Sequence, residues 1–435
     1  MTYQLICGAE IHIELKTKSK MFCGCKNDPF HAERPNIYTC PVCLGMPGAL
    51  PVANKKAIED CILIGLALGC KIAKVSKFDR KHYFYPDLPK GYQISQYDEP
   101  FCFEGSVDTS FGPVRITRVH MEEDTAKLQH ATVDGKKVSL IDFNRSSVPL
   151  VEIVTEPDIH SAEQAKEFLK KVRDIVRTLG VSDCDMEKGS MRLEANISLS
   201  PDGKLPNYKV EVKNINSFRY FVNSLTTEFA RHSQILDNGE TPVQETRGYR
   251  ADINSTVSQR VKEEAADYRY FPDPDIPPFV ISREWIEEIK GRLPELPSSK
   301  IDSLISLGIV ESAAKIIVNN QVMMEYLGHV KTLNPKYVQS ASKDLVNKKV
   351  DYLKVTPAEY IKSLESRASA KITDEAVLRP IIEKVLADNP SVVADYKAGK
   401  QNALGFFVGA VMRATSGQAD PTVINSLLIS ILNTA

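Results

Sequence analysis

Near the start of this 435-residue chain stand two close thiol pairs, Cys23-Gly-Cys25 and, after fourteen intervening residues, Cys40-Pro-Val-Cys43. Two such pairs joined by a loop can surround a tetrahedral Zn²⁺, a structural knuckle that contributes folding energy of order 10 kcal/mol. With all four positions filled no place is left for water, so this zinc would not be catalytic. His31 is the spare ligand, and four buried free cysteines are the alternative. A second chemistry comes from carboxylates. Glu10, His12 and Glu14 alternate with Ile11, Ile13 and Leu15, so a strand presents the first set on one face and packs the second on the other. The run His120-Met-Glu122-Glu123-Asp124, and Glu152 within Pro149-Leu-Val-Glu-Ile-Val154, stand inside or beside apolar strands. A carboxylate buried there needs a partner, and a divalent cation is a good one. Arg192-Leu-Glu194-Ala-Asn196 and Glu211-Val-Lys213-Asn214-Ile-Asn216 alternate in the same way. Facing one way, these groups would form a concave polar floor suited to Mg²⁺ and phosphates; the alternative is a set of solvated strand edges.

The stretch from Phe78 to Gln96 is dense in aromatic and basic residues without helix or strand period, the mark of an ordered loop, functional or simply packed. Its Arg80, Lys81 and Lys90 are donors suited to phosphate. The sequence contains no GxxxxGK[ST], GxGxxG or HExxH motif, so a nucleotide site must be built on a sheet rather than on a glycine loop. No Cys/His or Ser/His pairing declares a nucleophile.

The elements that must carry these residues follow from periodicity. Strands are predicted at 4–15, 114–121, 138–143, 150–154, 191–199 and 209–214, with helices over 57–68 and, behind a Ser161/Gln164 capping box, from 161 to a stop at Gly180. This mixture reads as one large α+β domain over 1–282, closed by the proline-rich Tyr270 to Pro278 stretch. Residues 283–370, rich in helix formers broken by prolines, read as a helical linker domain. In 371–435 the set Leu404, Phe407, Val408, Val411 and Met412 ends at Gly417, and Asp420-Pro421 restarts a helix carrying Ile424, Leu427, Leu428, Ile431 and Leu432, a helical hairpin in a small all-α tail. Composition excludes disordered, collagen-like and low-complexity chains, with 43% hydrophobic residues, 22 Gly and 25 Pro. Lys+Arg 55 against Asp+Glu 56 gives, in total, no basic footprint for nucleic acid and leaves room only for a local patch; no DNA partner is expected, and the longest apolar runs fall well short of a membrane span. Nine cysteines and an N-terminus without a basic or long apolar segment point to reduced thiols and a cytoplasmic location.

Six stretches, in order, carry a resemblance: Glu10-x-His12, Cys40 to Gly48, Phe78 to Gln96, His120 to Asp124, Val210 to Phe218 and Asp267-Tyr-Arg-Tyr-Phe-Pro272. Together they closely resemble the GatB family, one component of the bacterial and organellar glutamyl/aspartyl-tRNA amidotransferase, over about residues 4–280, and the segment Leu404 to Leu428 looks like its YqeY-type tRNA-binding tail. The resemblance implies a glutamine-synthetase-like antiparallel-sheet cradle, then an all-α domain and the tail. It implies ATP-dependent phosphorylation of the side-chain carboxylate of Glu-tRNA(Gln) or Asp-tRNA(Asn), then amidation with ammonia from an amidase partner, GatA, tied on by a small partner, GatC, in a heterotrimer. Carried over by motif, Glu10, His12, Glu123 and Glu152 look like the Mg²⁺ set, and Glu194 and Glu211 lie where further acidic floor residues occur. Lys81, Lys213 and Asn214 fall where phosphate or substrate contacts are expected. Glu194 stands where the family is expected to have Asp, and His82 where it has Asn. Two other readings are an RNA-binding adaptor with an inactive cradle and a stand-alone carboxylate–amine ligase for small molecules.

Overall fold

The computed structural model describes residues 3–261, 268–369, 372–400 and 402–434; Asp267, which opens the motif ending at Pro272, and Lys371, where the tail is expected to begin, lie outside the described residues. The chain divides into two compact units, Met1–Ser299 and Lys300–Ala435.

The first unit is built on a nine-stranded sheet. In chain order its strands are β1 (Gln4–Glu14), β2 (Lys71–Ile72), β3 (Cys102–Thr109), β4 (Gly112–Glu123), β5 (Pro149–Thr155), β6 (Met191–Ser200), β7 (Val210–Ile215), β8 (Glu245–Arg250) and β9 (Ser255–Val261). Across the sheet the order is β9-β8-β7-β6-β1-β5-β4-β3-β2, which puts the first strand at the centre. All neighbours run antiparallel except β7 and β8, which are parallel, so the antiparallel sheet expected is in fact mixed. Alternation explains why these segments form strands: Ile11 and Ile13, Val151 and Ile153, and Leu193 and Ala195 are all buried in one apolar core.

That core is completed by three helices, α1 (Lys55–Ala67), α2 (Ala162–Leu179) and α3 (Phe218–Asp237). Ser161 caps α2 by accepting from the Gln164 N–H at 3.1 Å, while the Gln164 side chain accepts from His160 N at 2.8 Å, one residue short of the capping box read from sequence. Gly180 ends α2 at φ 72, a left-handed value for which glycine is the natural residue. The sequence reading missed α3 because its inward face carries Ser224, Glu228 and His232 among Phe221 and Leu225, which breaks the apolar period. It also missed β2, β3, β8 and β9, and the predicted strand at 138–143 pairs instead with Lys127–Val133 in a separate hairpin. The first unit continues beyond the prolines to Ser299, since Ile289 is buried in its core and Trp285 and Arg292 both donate to Glu59.

The second unit is all helical, with one core from Leu304 to Ile361 and another from Leu378 to Leu432. In the latter the helices Asn402–Ala414 and Pro421–Thr434 form the expected hairpin, with Gly417 at φ 77 between them and Asp420 accepting from Thr422 N at 2.8 Å. No helix among the described residues is long and apolar enough to cross a membrane.

The buried polar face of α3 is held by charge. Glu228 is fully buried and accepts from Arg231 at 2.7 Å and from Thr256, with His232 Nε2 3.1 Å away and Arg247 at 3.4 Å. Burial pushes its carboxyl up, but His232, Arg231 and Thr256 outweigh it and hold the pKa at about 2. Glu228→Gln is expected to destabilise the fold by about 3–5 kcal/mol, read by urea denaturation. Because the folded pKa lies below the ordinary value, the advantage of wild type over Glu228→Gln should be complete above about pH 4.5 and disappear as the pH falls toward about 2.

Candidate active site

The face of the sheet opposite the three helices carries the polar side chains, and strand register aligns them. One lateral row reads His120, Glu152, His12, Arg192 across β4, β5, β1 and β6; the next reads Arg118, Val154, Glu10, Glu194. Asn196, Glu211 and Thr246 form a third across β6, β7 and β8. Above them lies a cavity of about 1400 Å³, lined by these carboxylates together with Lys81, Lys213, Lys209, Tyr268 and Tyr270.

Two clusters within it can hold a cation. The atoms of His12, Glu122 and Glu152 form one, with ligand atoms all within 4.8 Å of one another, and Glu10, Glu194 and Glu211 form the other. Around the first, His120 Nε2 lies 3.1 Å from Glu152 and His12 Nε2 3.7 Å from it, while Ser95 donates to Glu122 at 2.6 Å and Lys81 Nζ stands 3.8 Å away. Burial pushes the Glu152 carboxyl up, but the imidazoles of His12 and His120 outweigh it and hold the pKa at about 2. Glu122 is held well below the carboxylate range by Lys81 and His120 against the same burial. In the second cluster Asn196 donates to Glu10 at 2.8 Å, Lys213 lies 2.7 Å from Glu194 and 3.1 Å from Glu211, and Thr246 donates to Glu211 at 2.8 Å. Here burial and the neighbouring charges of Glu152 and Glu194 push Glu10 up. Carboxylates crowded this closely with so little solvent favour a divalent cation among them.

The structure thus brings together Glu10, His12, Glu152, Glu194, Glu211, Lys81 and Lys213. It does not bring Glu123 there. On β4 the side chains of 118, 120 and 122 face the cavity, so Glu123 falls on the other face, where it pairs with Lys90 and accepts from Ile94 N at 3.0 Å. Glu122 occupies the place expected of Glu123. The same period separates Arg80 from Lys81: Arg80 is spent on Asp273 and Asp275, each at 2.8 Å, and packs over the Tyr92 ring. Lys90 is committed to Glu123, and Asn214 sits exposed at φ 61 at the end of β7, outside the cavity lining. Sequence reasoning placed Asn196 on the polar floor but did not single out Arg118, although it shares parity with His120; Gln244, Thr246 and Gln259 gave no such signal, because β8 and β9 were not recognised.

Cys23, Cys25, Cys40 and Cys43 do converge, with their sulfurs all within 4.8 Å of one another. A tetrahedral Zn²⁺ with bonds of about 2.3 Å needs sulfurs about 3.8 Å apart, and the Cys40–Cys43 pair is at 3.9 Å, so the four fit the ion. His31 instead pairs with Asp28 at 2.7 Å and is exposed. Lys20 is wholly buried beneath the loop, donating to the carbonyls of Tyr38 at 2.7 Å and Phe143 at 3.1 Å and approaching Cys43 Sγ at 3.7 Å. Among the described residues it has no carboxylate partner, so Cys43 sulfur is the anion that compensates it. Through its contact with Cys23, against burial and with Lys20 assisting, the Cys43 thiol is brought down to about 5.

Fold and site together define an α+β protein whose central sheet offers carboxylate clusters able to hold a cation, and lysines, to one large polar cavity. Residues 5–287 match the family described as the GatB/GatE catalytic domain, and residues 318–432 the one described as the GatB domain. The chain is 43% identical to the B subunit of the aspartyl/glutamyl-tRNA(Asn/Gln) amidotransferase of Dehalococcoides mccartyi, with 98% of each covered. The subunits of the same name from Thermotoga maritima and Thermomicrobium roseum are 42% and 41% identical, with 99% and 98% of each chain covered. This chain belongs to the GatB family.

The strand parity at 122 and 123 has a direct test. Mn²⁺ binding followed by electron paramagnetic resonance should weaken at least about tenfold in Glu122→Ala, while Glu123→Ala should retain the wild-type dissociation constant within about twofold.

Proposed function

We propose that this chain is the carboxylate-activating component of a tRNA-dependent amidotransferase. It phosphorylates the side-chain carboxylate of Glu-tRNA(Gln), Asp-tRNA(Asn) or both with ATP, and exposes the acyl phosphate to ammonia released by the amidase GatA, held to it by the small partner GatC. Such an enzyme works in the cytoplasm, where tRNA is charged. The observation that carries the reading is the gathering of two carboxylate clusters able to hold a cation and three lysines in one cavity of about 1400 Å³, in a chain of this family. A cavity larger than the usual small-molecule pocket has room for a nucleotide and an aminoacyl end side by side.

A carboxylate resists ammonia because oxide is a poor leaving group, and phosphorylation supplies a better one. His12, Glu122 and Glu152 would hold one Mg²⁺ and Glu10, Glu194 and Glu211 a second. The ions supply charge neutralisation for the transferring phosphoryl group. Glu194 reaches its cluster although the family is expected to have Asp there, because Lys213 holds its carboxylate. Lys81, pinned near Glu122, and Lys213, between Glu194 and Glu211, add fixed positive charge on either side of the cavity. Cys23, Cys25, Cys40 and Cys43 would hold a structural Zn²⁺. The helical hairpin of the tail would contact tRNA.

With the amidase, the small partner and misacylated tRNA present, wild type should hydrolyse ATP and form Gln-tRNA or Asn-tRNA. Glu152→Gln and His12→Ala should each lower both rates at least about 100-fold. Unchanged rates in both variants would reject the assignment. The zinc reading predicts about one zinc per chain by elemental analysis, reduced in Cys43→Ser. Lys20→Met, which removes the buried counter-charge, should release zinc faster to a chelator than wild type.

A further inference from the structure

Most arginines facing the interior of the first unit are matched by a carboxylate: Arg80 by Asp273, Arg192 by Asp124, Arg231 and Arg247 by Glu228 and Glu245. Arg118 is different. It stands on the cavity face of β4, half-buried, in the lateral row that continues through Val154 to Glu10 and Glu194. Its Nε donates to His120 Nδ1 at 3.3 Å, and among the described residues no carboxylate lies within ion-pair distance of it. One guanidinium donor is therefore used on an imidazole, the terminal Nη groups have no hydrogen-bond partner among the described residues, and the residue lines the large carboxylate-rich cavity as well as a smaller one beside Asp98 and Glu99.

A guanidinium withheld from nearby carboxylates and turned to a ligand cavity is a binding group for an anion that arrives with the ligand. Its planar fork matches two oxygens of a tetrahedral phosphate better than any lysine does. The Nε bond also leaves His120 with Nδ1 as acceptor and Nε2–H directed at Glu152, 3.1 Å away, so the anchor of the arginine is itself fixed from the far side. We propose that Arg118 is a phosphate-binding residue of the cavity, its Nη groups holding phosphate oxygens of the substrate while Nε stays on His120. The proposal rests on the phosphoryl-transfer reading above. The phosphate belongs either to ATP or to the 3′ end of the tRNA, and one set of measurements separates the two.

Arg118→Ala and Arg118→Lys are compared with wild type in the complete heterotrimer. Mg-ATP binding without tRNA is followed by calorimetry, and KM for misacylated tRNA is measured at saturating ATP. Loss of charge-assisted hydrogen bonds predicts a weakening of about ten- to a hundredfold in Arg118→Ala, with Arg118→Lys recovering only part of it. A change confined to ATP binding assigns the nucleotide phosphate, and one confined to the tRNA KM assigns the tRNA phosphodiester. If neither moves, the proposal is overturned. It is equally overturned by a loss confined to kcat that His120→Ala reproduces and the double substitution does not deepen, because Arg118 would then act only by holding His120. Wild type that binds and hydrolyses no ATP would instead fail the functional reading, so the two failures are distinct.

Discussion

The register of β1 between β5 and β6 is the constraint on which the site depends. Glu10 lies opposite Val154 and Glu194, and His12 opposite Glu152 and Arg192, and with these rows extended on both sides six strands contribute side chains to one polar face while alternate residues fill one apolar core. A slip of one residue in β1 would expose Ile11 and Ile13 and bury Glu10 and His12 among the helices. The hydrophobic effect acting on one face therefore fixes the electrostatics of the other. Within that face each carboxylate has a nitrogen neighbour: His12 and His120 flank Glu152, and Lys213 lies between Glu194 and Glu211.

Packing around the sheet turns this face into an enclosure. Phe271–Pro272 pairs with Asp79–His82, and Arg80 clamps the same segment through buried Asp273 and through Asp275. That clamp sets Tyr268 and Tyr270 over the cavity, where Tyr270 stacks on Tyr97 with ring centroids 4.3 Å apart. Arg80 thus serves the site through the loop it holds, and Lys81, its neighbour in sequence, serves it directly. The cysteine loop is fastened by a comparable device. Lys20 joins it to the carbonyls of Tyr38 and Phe143, so the compensation of one buried cation also ties three separate segments together.

Much of this was legible residue by residue. Glu10 and His12 stand out because their apolar neighbours alternate with them, the four cysteines because of their spacing, and the terminal hairpin because Phe407, Val411, Ile424 and Leu428 keep a helical period. Helix α3 was illegible for the converse reason, since Glu228 and His232 are buried where apolar residues would have marked its face. Glu122 rather than Glu123 lines the cavity, a choice the sequence left open because adjacent acids give no sign of which one a strand turns inward until its pairing is known.

The sequence by itself determined the alternation of polar and apolar side chains, the caps and stops of α2 and the tail helices, and the thiol pairs, since each depends on residues within a few positions of one another. Tertiary structure alone decided which strands lie side by side, and with that the grouping of Glu10 with Glu194 and Glu211 and of His12 with Glu122 and Glu152. It also decided that Arg80 and Lys90 are consumed by carboxylates while Arg118 keeps donors to spare. These groups are brought within a few ångströms by strand pairing between residues more than a hundred positions apart, and periodicity along a chain carries no information about which distant strand will be its neighbour.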